Sequence, residues 1–142
     1  MQTGGFVSLI THATISDMSV TISKTTKTYP RLPYEKMAAT ILGKNYEVSL
    51  VFLGEQRAQT LNKTTRNKPY HPNVLPLPLT TAVGEIYLTP QVAKREAKQH
   101  SLSYTQYIGY LFIHGCLHLK GLDHGARMDT LEAKYCKQFK IR

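Results

Sequence analysis

The stretch HGCLHLKGLDH, residues 114–124, contains three of the six histidines of the chain. In an α-helix, His114 and His118 lie one turn apart and about 40° from each other around the helix axis, so both imidazoles can reach one ion. Gly121 can adopt a left-handed conformation that ends the helix and turns the chain back, which would bring His124 toward the same ion. Three protein ligands leave a fourth position open for water, as in catalytic zinc sites. We therefore predict one zinc ion per chain, bound by these three histidines.

This stretch can also be interpreted without a metal ion. Two of the histidines would then be ordinary surface or core residues, and the helix dipole would favour the third at the helix end. Cys116 is a rival ligand, but it lies about 200° around the helix from His114, which favours packing in the core. We interpret Cys136 likewise as a structural thiol. Because two cysteines do not make a disulfide framework, we expect a cytoplasmic location.

Hydrophobic periodicity and turn residues predict helices and strands around this stretch. Ser103 is a suitable N-cap for the helix that carries the first two histidines, and the prolines of residues 68–79 favour an edge strand or an extended segment there. We predict helices over residues 34–42, 55–65, 90–100, 104–119 and 127–139, and strands from about residue 20 and over 47–53, 74–79 and 84–88.

This pattern predicts an α+β fold in a single domain, residues 18–142. We expect a small mixed β-sheet packed against several α-helices, with the metal site at the end of a helix in the C-terminal half. Residues 1–17 have little periodicity, and we predict that they form a flexible N-terminal arm.

Charge and composition narrow the class of protein. The 142 residues carry 18 basic and 9 acidic side chains, a net charge of +9, which favours a polyanionic partner such as nucleic acid or an anionic membrane surface. The hydrophobic fraction of 42% excludes a disordered chain, and the longest uncharged apolar runs are too short to span a bilayer. No basic segment followed by an apolar segment opens the chain, so we expect no secretory signal.

Residues 114–124 resemble the His-Gly-x-Leu-His-Leu-x-Gly-x-Asp-His signature of the YbeY family of metal-dependent endoribonucleases. Three further motifs of that family have counterparts here: a Leu-Asn-x-x-x-Arg helix end at Leu61, Asn62 and Arg66, a Gly-Asp-Ile strand that reads Gly-Glu-Ile at residues 84–86, and a C-terminal Met-x-x-Leu-Glu helix at Met128, Leu131 and Glu132. The resemblance covers residues 61 to about 135. Residues 18–60 share with the family only the order of helices and strands, and residues 1–17 show no similarity to it.

The resemblance implies a zinc-dependent endoribonuclease, specific for single-stranded RNA, that acts in rRNA maturation and ribosome assembly. It implies contact with the small ribosomal subunit and assembly factors, and neither DNA nor a membrane is an expected partner. It also implies that Arg66 faces the metal cleft, where a guanidinium can bind phosphate oxygens and stabilise a charged transition state. Arg57, Lys63 and Lys68 belong to the same acid-free run, and we interpret them as RNA-binding through general attraction of phosphate, or as a solvated helix face.

Two departures from the family pattern leave other functions open. The family usually has Thr-Asp-Val-Leu-Ser-Phe at residues 72–77, so Asn73 replaces a carboxylate and Pro76 replaces a serine. If that carboxylate orients a ligand or a water, this protein is a slower enzyme or uses His71 instead. The alternative is a non-catalytic RNA-binding factor of ribosome assembly whose zinc only holds the C-terminal helices together. A zinc peptidase of the His-Glu-x-x-His type is disfavoured because Gly115 stands where its general base belongs.

Overall fold

The structure is a computed structural model that describes residues 19–26, 28–70 and 72–141. The strands of this described part are β1 (Val20–Lys24), β2 (Glu47–Phe52), β3 (Val74–Pro78) and β4 (Val83–Leu88). Its helices are α1 (Tyr34–Leu42), α2 (Glu55–Arg66), α3 (Pro90–Ala97), α4 (Tyr104–Leu119) and α5 (Ala126–Gln138), and a 3-10 turn over Lys98–His100 follows α3. The predicted α+β fold with a small mixed sheet is confirmed.

The strands form one sheet in the order β1-β2-β4-β3. The first three are parallel, whereas β3 runs antiparallel to β4 at the edge of the sheet. Within this edge strand, Pro76 pairs with Ile86 and Pro78 pairs with Gly84. Proline has no N–H to donate to a neighbouring strand, so a strand with two prolines is tolerated only at an edge. The edge position predicted for this segment is therefore correct.

Helix α4 is the central helix of the domain. It packs on β3 and β4 and also contacts α1, α3 and α5. Its fully buried Phe112, Ile113 and Leu117 join Leu50 and Ile86 of the sheet in the main core. Because side chains alternate along a strand, the opposite face of the sheet carries a second cluster, which α2 covers. The helix that carries two of the predicted ligands is thus fixed on nearly all sides.

Both ends of α4 follow from local sequence. At its start, Ser103 Oγ accepts a hydrogen bond from the Gln106 N–H at 3.1 Å, and the Gln106 side chain accepts one from the Ser103 N–H at 2.9 Å, which is a capping box. Beyond its end, Gly121 has a φ of 105°, and the Leu122 N–H donates to the Leu117 carbonyl at 3.1 Å. A residue with a Cβ would be strained at that φ, so glycine permits the reversal of the chain.

The helix predicted over residues 90–100 is shorter in the structure. It is α-helical only to Ala97, since the chain tightens into the 3-10 turn and Ser101 then adopts a φ of 56°. The bounds of the other predicted helices and strands agree with the structure to within one residue. The predicted arm, residues 1–17, lies outside the described residues. Within the described ranges, every helix is too short or too polar to cross a membrane.

Candidate metal centre

Two histidines on the last turns of α4 lie side by side. The Nε2 atoms of His114 and His118 are 3.1 Å apart, and the two rings are nearly perpendicular, at 78°. Both side chains are half-buried, while the neighbouring Gly115, Cys116 and Leu117 are buried in the core. The one-turn spacing in the sequence therefore places both imidazoles on the one side of α4 that the core leaves open.

His124 joins this pair from the far side of the turn at Gly121. Its ring centroid lies 5.1 Å from that of His114 and 4.8 Å from that of His118. One ring nitrogen of each histidine lies within 4.8 Å of the other two. His124 is exposed, so the trio opens to solvent on that side. The structure brings the three predicted ligands together.

The geometry of this histidine trio fits a tetrahedral metal ion. Zinc–nitrogen bonds of 2.0–2.1 Å place two ligand nitrogens about 3.3 Å apart around such an ion. The Nε2–Nε2 distance of 3.1 Å between His114 and His118 is close to that value, and all three ligand nitrogens lie within 4.8 Å of one another. Imidazole ligands suit zinc, copper, iron and nickel, and three of them leave at least one coordination position open. The three histidines can therefore hold a metal ion in an open site.

A buried carboxylate from α5 supports the first of these ligands. Glu132 Oε2 is hydrogen-bonded to Nδ1 of His114, which leaves Nε2 directed at His118. Glu132 is only 7% exposed, and its other oxygen accepts a hydrogen bond of 3.5 Å from the Tyr110 hydroxyl. A carboxylate on the far nitrogen of a metal-binding histidine fixes its tautomer and raises its basicity. The sequence places Glu132 in a family-like motif but carries no signal that its side chain contacts His114.

The surroundings of His118 keep its imidazole neutral. Burial lowers the pKa of this side chain, and the neighbouring imidazoles of His114 and His124 lower it further. A hydrogen bond with the backbone of Leu122 and the charge of Asp123 raise the pKa but do not outweigh those effects. Because only a neutral imidazole can bind a metal, the lowered pKa favours ligation at neutral pH.

The two cysteines are structural, as predicted. Cys116 and Cys136 are both buried, neither forms a disulfide, and neither belongs to the group of potential ligands among the described residues. Burial raises the pKa of the Cys116 thiol, so this side chain stays protonated. Metals bind the thiolate rather than the thiol, which removes Cys116 as a rival ligand.

The histidine trio lines an open cleft of about 590 Å³. Arg66, the last residue of α2, lines the same cleft, together with Asn73 and the exposed Asp123. The Arg66 guanidinium and the three potential metal ligands therefore line the same cleft. This is the position for Arg66 that the resemblance implied.

A buried amide holds the turn that carries Arg66. Asn62 is fully buried, and its Nδ2 donates to the Tyr70 carbonyl at 3.2 Å. The Lys68 N–H donates back to the Asn62 carbonyl at 3.3 Å, and Asn67 ends the helix in a left-handed conformation. These contacts bind the loop after α2 to the helix itself, which fixes the backbone of Arg66 at the rim of the cleft.

The other basic residues singled out in the sequence lie elsewhere. Arg57, Lys63 and Lys68 are exposed on α2 and the turn after it, and none of them lines the cleft. Their position suits long-range attraction of phosphate rather than a contact with the reacting group. His71, the predicted substitute for the missing carboxylate, lies outside the described residues.

Asn73 has a defined partner in the structure. Its Nδ2 donates to Glu96 Oε1 at 2.9 Å, and its Oδ1 accepts from the Val74 N–H at 2.6 Å. The Tyr107 hydroxyl donates to the same Glu96 oxygen at 2.9 Å. An aspartate at position 73 would bring two carboxylates together, whereas the amide supplies a donor. Asn73, which departs from the family pattern, thus finds in Glu96 an acceptor for its amide.

Replacing Glu132 with glutamine is expected to weaken metal binding by about 10- to 100-fold, because the amide removes the negative charge behind His114. Competition with a metal-sensitive dye measures the affinity. Asp129→Asn is the matched control, since Asp129 is exposed on the same helix, and it should bind metal like the wild type. Unchanged affinity in Glu132→Gln would show that Glu132 only packs α5 against α4.

The family model and the relatives that match this chain carry the same description. The family model described as Endoribonuclease YbeY matches residues 12–140. A protein named Endoribonuclease YbeY from Bdellovibrio bacteriovorus is 41% identical over 98 residues, which cover 68% of this chain and 63% of that protein. A protein of the same name from Thiobacillus denitrificans is 31% identical over 121 residues, which cover 78% of this chain and 82% of that protein. A third, from Burkholderia ambifaria, is 34% identical over 97 residues, covering 61% and 55%.

Two of these alignments thus span less than two thirds of the relative. The fold is similar to that of a solution structure from Thermotoga maritima, with a TM-score of 0.62 over 84% of this chain and 88% of that one. The two sequences are 23% identical, so this likeness concerns the fold alone. The family match begins at residue 12 and extends well beyond the segment on which the sequence resemblance depends.

Proposed function

The chain belongs to the YbeY family, and from this membership we propose that it is a zinc-dependent endoribonuclease that cleaves single-stranded RNA in rRNA maturation and ribosome assembly. The observation that carries the proposal is the single cleft that contains both the histidine trio and Arg66. Relatives named as endoribonucleases support RNA as the substrate.

Each of these residues has a separate role in the proposed reaction. When bound, Zn²⁺ supplies hydroxide at neutral pH and offsets negative charge on a phosphate oxygen. The three histidines hold the ion, and Glu132 keeps His114 in the tautomer whose Nε2 faces the other ligands. Arg66 binds phosphate oxygens through its guanidinium and stabilises the charge that develops in the transition state. In this mechanism Arg66 is the catalytic residue of the chain.

Charge and packing favour RNA over a peptide as substrate. The net charge of +9 and the exposed Arg57, Lys63 and Lys68 attract a phosphate backbone. Zinc peptidases of the His-Glu-x-x-His type need a glutamate after the first histidine, and this chain has the buried Gly115 there. A Cβ at that position would lie 3.3 Å from the Ile86 side chain, so a larger side chain there would press on the core.

We place this activity in the cytoplasm, at the small ribosomal subunit and its assembly factors. The sequence resemblance to YbeY endoribonucleases implies these partners, and the basic charge suits an rRNA surface. The proposal involves neither DNA nor a membrane.

Removing the metal tests the proposal directly. Chelation is expected to abolish cleavage of a labelled single-stranded RNA, and one equivalent of Zn²⁺ per chain should restore it. A gel assay measures cleavage, and thermal unfolding of the same samples measures stability. Duplex RNA of the same sequence serves as the substrate control and should be cut more slowly.

A different outcome would favour the alternative function. If the zinc-loaded protein binds RNA without cutting it, and chelation only lowers the unfolding temperature, the zinc serves to hold α4 and α5 together. The protein would then be an RNA-binding assembly factor rather than an enzyme. Metal-dependent cleavage of a peptide would instead revive the peptidase hypothesis.

A further inference from the structure

A second cavity, of about 300 Å³, adjoins the metal cleft. The two cavities share Asn73, Val74 and His114 as lining residues. The volume lies at the lower end of the range for ligand-binding cavities, which suits a single small ring system. A nucleotide whose phosphate lies at the histidine trio therefore has this cavity beside it for its base.

A cluster of aromatic rings forms one wall of the second cavity. The His100 ring stacks on Tyr107 at a centroid distance of 4.9 Å, and Tyr107 stacks on Tyr110 at 5.9 Å. His100 also lies 6.4 Å from Tyr110, and Tyr110 lies 6.3 Å from His114, so this cluster connects the exposed His100 with a metal ligand. Proteins that bind single-stranded RNA stack unpaired bases on such rings. Tyr107 is buried at 2% exposure and supports the exposed His100, whose ring offers the stacking surface beside the proposed site of cleavage.

Glu96 adds a hydrogen-bonding group to this aromatic wall. Its Oε1 accepts from the Asn73 amide and from the Tyr107 hydroxyl, and these two bonds orient the carboxylate without using Oε2. An ionised carboxylate can only accept hydrogen bonds. It therefore pairs with the exocyclic amino group of a base such as cytosine, whereas it faces the carbonyl of uracil unfavourably.

From this juxtaposition of ring stack and oriented carboxylate, we infer that the second cavity is a nucleobase subsite that selects bases carrying an exocyclic amino group. The inference rests on the proposed function, because it takes single-stranded RNA as the ligand. It makes Glu96 a specificity-determining residue and gives the protein a preference for cytosine over uracil.

The test compares binding of fluorescein-labelled C10 and U10 oligoribonucleotides to the zinc-loaded protein. Fluorescence anisotropy, read before cleavage accumulates, should show about tenfold tighter binding of C10. Glu96→Gln keeps an acceptor for Asn73 and Tyr107 but places an amide N–H where Oε2 was. The ratio of C10 to U10 affinity should then fall to one or below. Equal binding of both strands by the wild type, or an unchanged ratio in Glu96→Gln, would overturn the subsite.

His100→Ala separates stacking from hydrogen bonding. This variant should weaken binding of C10 and U10 alike, by about fivefold, and leave their ratio unchanged. Thermal unfolding of each variant checks that the fold is retained. Cleavage of both strands without a binding preference would refute the subsite alone. A binding preference that Glu96→Gln removes, without cleavage of either strand, would uphold the subsite and refute the proposed enzymatic activity.

Discussion

Replacing His118 with alanine is expected to remove both the bound metal and the cleavage of single-stranded RNA. The described residues offer three histidines as ligands at this site, and the variant leaves two. Loss of a direct ligand should reduce activity by more than the roughly 100-fold that loss of an outer partner produces. Elemental analysis and a cleavage assay on the same samples measure both effects. Because the side chain is only half-buried, circular dichroism should show a folded protein.

His100→Ala is the control for metal content, since it deletes a histidine that lies outside the trio. It should carry as much metal per chain as the wild type. Full metal content or full cleavage in His118→Ala would show that the trio is not the catalytic centre. A well-folded wild type that binds no metal would remove the basis of the proposed function.

Replacing Arg66 with alanine should lower kcat for RNA cleavage by about 10²- to 10³-fold, the range observed when one transition-state donor is lost. Metal content should not change, because Arg66 is exposed at the end of α2 and is not a ligand. Arg66→Lys should recover only part of the activity, since an ammonium keeps the charge but lacks the planar fork of donors. Initial rates at saturating RNA separate kcat from KM.

Lys36→Ala is a matched control for the loss of one positive charge. Lys36 is exposed on α1 and does not line the cleft. This variant should keep the kcat of the wild type and show at most a small rise in KM that disappears at higher salt. An equal loss of kcat in both variants would mean that Arg66 acts only through the net charge of the protein.

The ends of the helices and strands could be predicted from the sequence because the interactions that set them join residues close together in the chain. Ser103 and Gln106 form the cap that starts α4, and Gly121 takes the positive φ that ends it. The edge position of β3 follows in the same way from Pro76 and Pro78, which cannot donate to a neighbouring strand.

Contacts between distant segments were not predictable in this way. Glu132 contacts His114 across 18 residues, and Asn73 contacts Glu96 across 23. Both contacts depend on how α3, α4 and α5 pack, and helix packing is decided by the shape of whole buried faces. Periodicity within one segment carries no information about which side chain of another segment will face it.

The order of helices and strands and the histidine trio follow from local sequence, because one helical turn and one glycine reversal bring these ligands together. Three other features depend on packing between distant segments: Arg66 shares a cleft with the trio, Glu132 supports His114, and Glu96 lines a cavity together with the aromatic rings. These features arise because α4 is buried between the sheet and three other helices, which brings together side chains that are far apart in the chain.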